Sequence, residues 1–121
     1  MTGKINSYAD FQNFMDACCT KAGADPDLSG HGRWWRDMDY NTFKTSGTVK
    51  GQRVVTVGDP NNSIMIHALR GDTPDFSATD PNATYGRMPL NANSYFEDPD
   101  INEIADWIER GCPDPSPAPG V

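Results

Sequence analysis

Several side chains of this chain have the chemistry to bind a metal ion. Soft sulfur ligands combined with imidazole nitrogens are the ligand set of type-1 copper centres. The residues that could supply them are Cys18 or Cys19, His31, His67 and Met88. Cupredoxins carry a cysteine, a histidine and the methionine on one loop, whereas here the residues are scattered along the sequence. The alternative is that His67 belongs to a short amphipathic helix and that His31 is a solvated loop residue.

The three cysteines, Cys18, Cys19 and Cys112, do not form a disulfide framework, and their spacing matches no zinc pattern. An odd number leaves at least one free thiol within the chain. A bridge from Cys112 to Cys18 or Cys19 would tie the two ends of the fold together and would indicate an oxidising compartment. The alternative is three buried thiols.

The acidic residues predict no catalytic site. Residues Asp25–Gly30 match the first half of an EF-hand loop, but Arg36 stands where the closing carboxylate belongs, so a polar turn explains them better. Asp72, Asp75 and Asp80 lie in a stretch without periodicity, which gives paired-carboxylate catalysis no scaffold. Because nucleophile triads, phosphate loops and nucleotide fingerprints are also missing from the sequence, we expect a protein that is not an enzyme.

Composition and charge narrow the classes of partner. The chain has 121 residues, a formal net charge of -7 and 36% apolar residues, with 10 prolines and 11 glycines. The charge argues against binding to nucleic acid or an anionic membrane surface and favours a basic partner or a small ligand. No apolar run approaches the roughly 20 residues of a membrane span, and residues Met1–Lys4 do not begin a secretory signal. We expect one domain with long loops.

Local signals predict helices at both ends of the chain. Ser7 is a suitable N-cap for a helix that ends near Ala22, before Gly23. In the last helix we expect Asp98 to be the N-cap and Pro99 to occupy the first helical position, and Gly111 should end the helix. Each carries an apolar stripe, and we expect the two stripes to pack together. The stripe residues are Tyr8, Phe11, Phe14, Met15, Cys18 and Cys19 in the first helix and Ile101, Ile104, Trp107 and Ile108 in the last.

Shorter elements lie between these two helices. Asp39 is expected to cap a short helix through Thr45, and residues 64–70 should form another, closed by Gly71. Residues 52–57 read as an extended segment, and residues 72–97 show no periodicity. The predicted organisation is an extension over residues 1–6, a mainly α domain over residues 7–112, and a proline-rich tail or linker over residues 113–121.

Three stretches together resemble the class I cytochrome c fold: Gly58–Ser63 before a short helix, the loop sequence Gly86–Pro89, and the last helix through Gly111. The resemblance is closest to the cytochrome c-like domains of large extracytoplasmic bacterial proteins. It implies a small helical domain with crossing N- and C-terminal helices and a periplasmic or otherwise extracytoplasmic location. It also implies that Met88 would be the distal ligand of a haem iron.

One part of the family pattern is missing. The family attaches haem through Cys-x-x-Cys-His after its first helix, but here Asp16 stands at the first cysteine, Cys19 at the second and Thr20 at the histidine. We therefore expect no cofactor and a haem-free interaction or accessory module whose partner is a protein or another domain of the parent chain. The alternative is an electron-transfer domain that holds haem or another metal with Met88 as a ligand, Cys19 as an attachment point and His31 as a substitute ligand.

A haem-free relative must fill the space of the haem. Residues 34–43 are rich in aromatic side chains, and we expect Trp34 or Trp35 to pack inward against Met88 or Leu90 and the terminal helices. The alternative is that both tryptophans form an exposed patch for a partner.

Overall fold

The structure is a computed structural model that describes residues 5–24, 34–45, 47–49, 52–73, 76–77, 79, 81–82, 87–88 and 94–114. The described helices are α1 (Tyr8–Ala22), α2 (Trp34–Asp37), α3 (Tyr40–Thr45), α4 (Ile64–Arg70) and α5 (Asp98–Glu109). A small antiparallel hairpin joins β1 (Thr48–Val49) to β2 (Gln52–Arg53), and a 3-10 turn covers Pro60–Asn62. The described part of the chain is mainly helical, as the sequence predicts.

The two ends of α1 follow the predicted signals. The Ser7 hydroxyl accepts from the Asp10 amide at 3.0 Å, which satisfies one of the free donors of the first turn. Asp10 in turn accepts from the Asn6 amide at 3.1 Å. At the other end Gly23 adopts the left-handed conformation, with φ of 71°, that glycine tolerates best. Short-range capping therefore fixes the length of this helix.

Helices α3 and α4 also begin and end where predicted, whereas α2 was not predicted. An Asp39 carboxylate oxygen accepts from the Thr42 amide at 2.7 Å and so caps α3. Gly71 closes α4 with a φ of 64°. The predicted extended segment is only partly regular, since β2 covers its first two residues.

The start of α5 differs from the prediction. Asp98 is the first helical residue, and the N-cap is Glu97, whose side chain makes no capping hydrogen bond. Proline is tolerated at either of the first helical positions because neither amide has a partner within the helix. Pro99 therefore does not decide between the two starting points, and the choice of Asp98 as the cap was wrong.

The polar side of α5 is more deeply buried than its sequence suggests. Asp100 and Glu103 lie on the side of the helix away from its apolar stripe, yet both are buried. Asp100 forms an ion pair with Lys21 of α1 at 2.5 Å, and the same ammonium group lies 2.8 Å from Glu97. The lysine therefore links the end of α1 to the start of α5.

The two terminal helices meet in the core through aromatic rings. Phe11 of α1 stacks on Trp107 of α5 with ring centroids 4.9 Å apart and planes at 13°. Phe43 of α3 contacts both, at 5.2 Å from Phe11 and 5.8 Å from Trp107. All three side chains are fully buried. The predicted contact between the apolar stripes of α1 and α5 is confirmed.

None of the helices in the described ranges combines the length and the apolar character that crossing a membrane requires.

Candidate functional site

The three positions that the cytochrome c resemblance assigns to haem attachment, Asp16, Cys19 and Thr20, lie on α1. One carboxylate oxygen of Asp16 accepts from the Trp35 indole at 2.8 Å, and the other accepts from the Arg36 guanidinium at 2.6 Å. Cys19 is buried in the core, whereas Thr20 is exposed to solvent. Asp16 therefore acts as an acceptor for two side chains of α2.

Further hydrogen bonds hold α2 against the same face of α1. Gln12 donates its side-chain amide to the Trp35 carbonyl at 2.8 Å, and Arg36 donates to the Asn13 side chain at 2.8 Å. Together with the bonds of Asp16, they form a clamp between α1 and α2. The clamp fixes both the backbone and the ring of Trp35.

The hydroxyl of Tyr8 extends this contact by one helical turn. This hydroxyl is a hydrogen-bond donor to two backbone carbonyl oxygens, that of Met38 at 2.8 Å and that of Trp35 at 3.1 Å. Burial, helped by the nearby Asp39 carboxylate and opposed by Arg36, raises the pKa of Tyr8 to about 12. Tyr8 therefore remains a neutral donor over the ordinary pH range.

Seven rings form an aromatic cluster between α1, α2, α3 and α5. Its members are Tyr8, Phe11, Trp34, Trp35, Tyr40, Phe43 and Trp107. Trp34 stacks on Phe43 with planes at 7° and meets Trp35 edge to face at 88°. Trp35 is only 3% exposed, whereas Trp34 is half-buried.

The prediction that one tryptophan packs inward is confirmed for Trp35, which is buried and bonded to α1. Its predicted contact with the last helix stays a prediction. The part of that prediction that names Met88 and Leu90 stays a prediction, and Leu90 lies outside the described residues.

Two of the predicted ligand residues lie at one end of α4. The Met88 amide donates to the Ala68 carbonyl at 2.9 Å, next to His67 in the chain. The Nδ1 atom of His67 lies 2.7 Å from an Asp72 carboxylate oxygen. Cys19, by contrast, belongs to the core face of α1, and His31 lies outside the described residues. Within the described ranges, no three His, Cys, Asp or Glu residues come together as a metal-binding group.

Arg87 fastens the Met88 segment to α4, a role that the sequence did not reveal. Its Nε donates to the Leu69 carbonyl at 2.9 Å, and its guanidinium carbon lies 4.4 Å from the centre of the Tyr95 ring. The aliphatic part of Arg87 packs so closely on Gly71 that a Cβ atom there would lie 2.7 Å from Cδ. Gly71 therefore both ends α4 and leaves room for the side chain of Arg87.

The three cysteines are buried thiols in the structure, so the predicted bridge to Cys112 is not formed, and the alternative of buried thiols describes them. Burial raises the pKa of the Cys18 thiol to about 12, with a further contribution from the Asp100 carboxylate. Burial also raises the pKa of Cys112 to about 12, opposed by Lys44. Both thiols are therefore protonated and unreactive in the folded protein.

Alkaline pH is expected to destabilise the protein through these thiols. In the unfolded chain a thiol ionises near its ordinary pKa of 9.0, but in the folded protein Cys18 and Cys112 hold their protons until about pH 12. The unfolded state therefore binds fewer protons above pH 9, and the stability present below pH 9 falls as the pH rises towards 12. At pH 10 the loss should be on the order of 1 kcal/mol per thiol.

Urea denaturation at pH 8 and pH 10 measures this loss. Cys18→Ala and Cys112→Ala should each reduce the difference between the two pH values, whatever their own effect at pH 8. An unchanged difference in both variants would contradict the assignment. Thiol titration should count three free groups after denaturation and few in the native protein.

The residues at the attachment positions do not fit a haem bound in the family manner. The first attachment position carries a carboxylate, Asp16, that already accepts from two donors, and Thr20 has no ligand nitrogen. A scan of the chain finds no matching family model, no matching curated protein and no matching solved structure. Function is therefore inferred from the residues and contacts described above.

Proposed function

We propose that this chain is a haem-free relative of the cytochrome c-like domains and that it serves as an interaction or accessory module of a larger protein. The observation that carries the proposal is the use made of Asp16. At the position of a haem-attaching cysteine, its carboxylate holds the indole of the buried Trp35 and the guanidinium of Arg36. These contacts give the position a purely structural role.

The aromatic cluster supports this proposal through its volume. In a cytochrome of this size the haem is a large part of the core, and an empty haem cavity would cost on the order of 20 cal/mol for each Å³. Aromatic side chains bury roughly 150–250 Å² each and can replace such contacts. Trp35, Phe43 and Trp107 are all buried within the cluster. A core built in this way does not depend on a cofactor for its stability.

The net charge of -7 indicates what kind of partner the module would bind. A basic face on a protein partner, or on another domain of the parent chain, would be attracted to it, and the attraction would weaken with salt. The resemblance adds an extracytoplasmic location to the proposal. We propose no catalytic activity.

An intact-mass measurement with an absorption spectrum tests the proposal. The mass of the denatured protein should equal that of the polypeptide alone, and the purified protein should show no Soret band. Added haemin should not bind stoichiometrically, because the cluster already fills the core. A mass increment of one haem, or stoichiometric uptake of haemin, would contradict the proposal.

One observation favours the second candidate function, an electron-transfer domain. The Asp72 carboxylate lies 2.7 Å from Nδ1 of His67, as in the carboxylate–histidine pairs of metal sites, so Nε2 would be the atom that binds a metal. The backbone amide of Met88 donates to the Ala68 carbonyl of the same helix. If the purified protein is coloured, His67→Ala and Met88→Ala should each change its spectrum, whereas Asp37→Ala should leave it unchanged.

A further inference from the structure

The three residues that follow α5 and its turn contact the core instead of leaving it. The Trp107 indole donates to the Pro113 carbonyl at 2.9 Å, and the Tyr40 hydroxyl donates to the Cys112 carbonyl at 2.6 Å. The Tyr8 amide donates to an Asp114 carboxylate oxygen at 3.1 Å. Residues Cys112–Asp114 therefore form a strap that joins α5, α3 and the start of α1.

A second contact holds the start of α1 from the side of α5. The guanidinium of Arg110 donates to the Ile5 carbonyl at 2.6 Å and to the Asn6 side chain at 3.2 Å. It also bonds Asp106 one turn earlier on its own helix, at 2.9 Å. Arg110 and the strap thus hold the residues before and at the start of α1 close to the end of α5.

The charge of Asp114 suits its position. Tyr8 is the first residue of α1, and its amide is one of those that have no acceptor within the helix. A carboxylate there is also favoured by the positive end of the helix dipole. Asp114 therefore completes the cap that Ser7 begins with the Asp10 amide.

The strap also matters for Trp107. This side chain is fully buried, and the Pro113 carbonyl is the acceptor of its indole N–H. If the strap moves away, a buried donor loses its partner, which is more unfavourable than the loss of an exposed hydrogen bond. The same movement removes the acceptor of the Tyr8 amide.

We propose that the strap is a latch that couples the chain beyond Asp114 to the aromatic cluster. A partner or a mechanical load that draws this chain away would open both contacts together and loosen α1 and α5. In the closed latch, Asp114 and Pro113 hold one terminal helix each. This proposal does not depend on a cytochrome c relationship or on the absence of haem, so the mass and haemin tests leave it untouched.

Hydrogen exchange in the full chain tests the latch. Asp114→Ala should speed exchange of the Tyr8 amide and of the Trp107 indole N–H by about tenfold each, followed by NMR. Asp37→Ala removes the same charge from an exposed residue of α2 and should change neither rate. If only the Tyr8 amide responds, Asp114 is a local cap and the latch is wrong. It is equally wrong if neither rate changes.

A double-mutant cycle gives a second test that uses stability alone. Arg110→Ala and Asp114→Ala each remove one part of the contact between the chain ends. If the contact opens as one unit, the fold-change in the unfolding constant of the double variant should be smaller than the product of the two single fold-changes, by a factor of at least about three. Simple multiplication of the two effects would show independent contacts and overturn the latch. Asp114→Asn, which keeps an acceptor oxygen, should fall between Asp114→Ala and the unchanged protein in both experiments.

Discussion

Trp107→Ala is expected to lower the free energy of unfolding by about 3–5 kcal/mol. The side chain is fully buried, and its ring packs against Phe11 and Phe43 with centroids 4.9 and 5.8 Å away. Removing the ring would leave a cavity where α1, α3 and α5 meet. It would also leave the Pro113 carbonyl without its indole donor. Urea or guanidinium denaturation measures the loss.

Two further variants separate the contributions to this loss. Trp107→Phe keeps an aromatic ring but removes the indole N–H, so it should be less destabilising than Trp107→Ala. Tyr95→Ala removes an aromatic side chain that is 39% exposed, and it should change stability by much less. If Trp107→Ala were no more destabilising than Tyr95→Ala, the terminal helices would not depend on this contact.

Trp35→Ala is expected to cost about 3–5 kcal/mol and Trp34→Ala clearly less. Trp35 is 3% exposed and donates to Asp16, whereas Trp34 is half-buried at the edge of the cluster. The stacking of Trp34 on Phe43 is worth roughly 0.5–1.5 kcal/mol beyond its buried area, so some loss is expected there too. Chemical denaturation of the two variants under the same conditions measures the difference.

A third variant tests the link between Trp35 and the attachment position. Trp35→Phe fills most of the ring volume but takes a donor away from Asp16. Its effect should be smaller than that of Trp35→Ala and should largely vanish when Asp16→Ala is already present, because the two side chains then have no bond to lose. Equal losses for Trp34→Ala and Trp35→Ala would contradict the inward position of Trp35.

Helix ends were predictable wherever a neighbouring residue decides them. Ser7, Asp39 and Gly71 act within a few positions of themselves, and each does what its residue type indicates. The start of α5 was missed because Asp98 and Pro99 suit more than one position of a first turn. Local chemistry defines a helix end only when a single arrangement satisfies it.

Contacts between distant parts of the chain were not predictable from residue types. Asp100 lies on the side of its helix away from the apolar stripe, and its own sequence neighbourhood does not show that Lys21 of α1 pairs with it. In the sequence, Asp16 is recognisable only as the replacement of a cysteine, because none of its neighbours indicates that Trp35 and Arg36 donate to its carboxylate. The helical spacing of Gln12 and Asp16, one turn apart on a polar face, was the signal that could have revealed the clamp.

The first residues of the C-terminal segment also differ from what its composition predicts. Alternating prolines predict a linker from residue 113 onward, but Pro113 and Asp114 contact Trp107 and Tyr8. A proline removes a donor yet keeps its carbonyl as an acceptor, and that carbonyl is what Trp107 uses. The predicted tail beyond Asp114 lies outside the described residues and stays a prediction.

The contact between Tyr8 and Asp114 has a consequence for how the protein is made. The two residues are 106 positions apart, so α1 leaves the ribosome long before α5 and the strap exist. At about 5–20 residues per second the apolar face of α1 must wait roughly 5–20 s for α5 and the strap. Until then Phe11 can pack on Phe43 of α3 but lacks Trp107, on which it stacks in the finished fold. The contacts that join α1 to α5 and to the strap are therefore among the last that the growing domain can form.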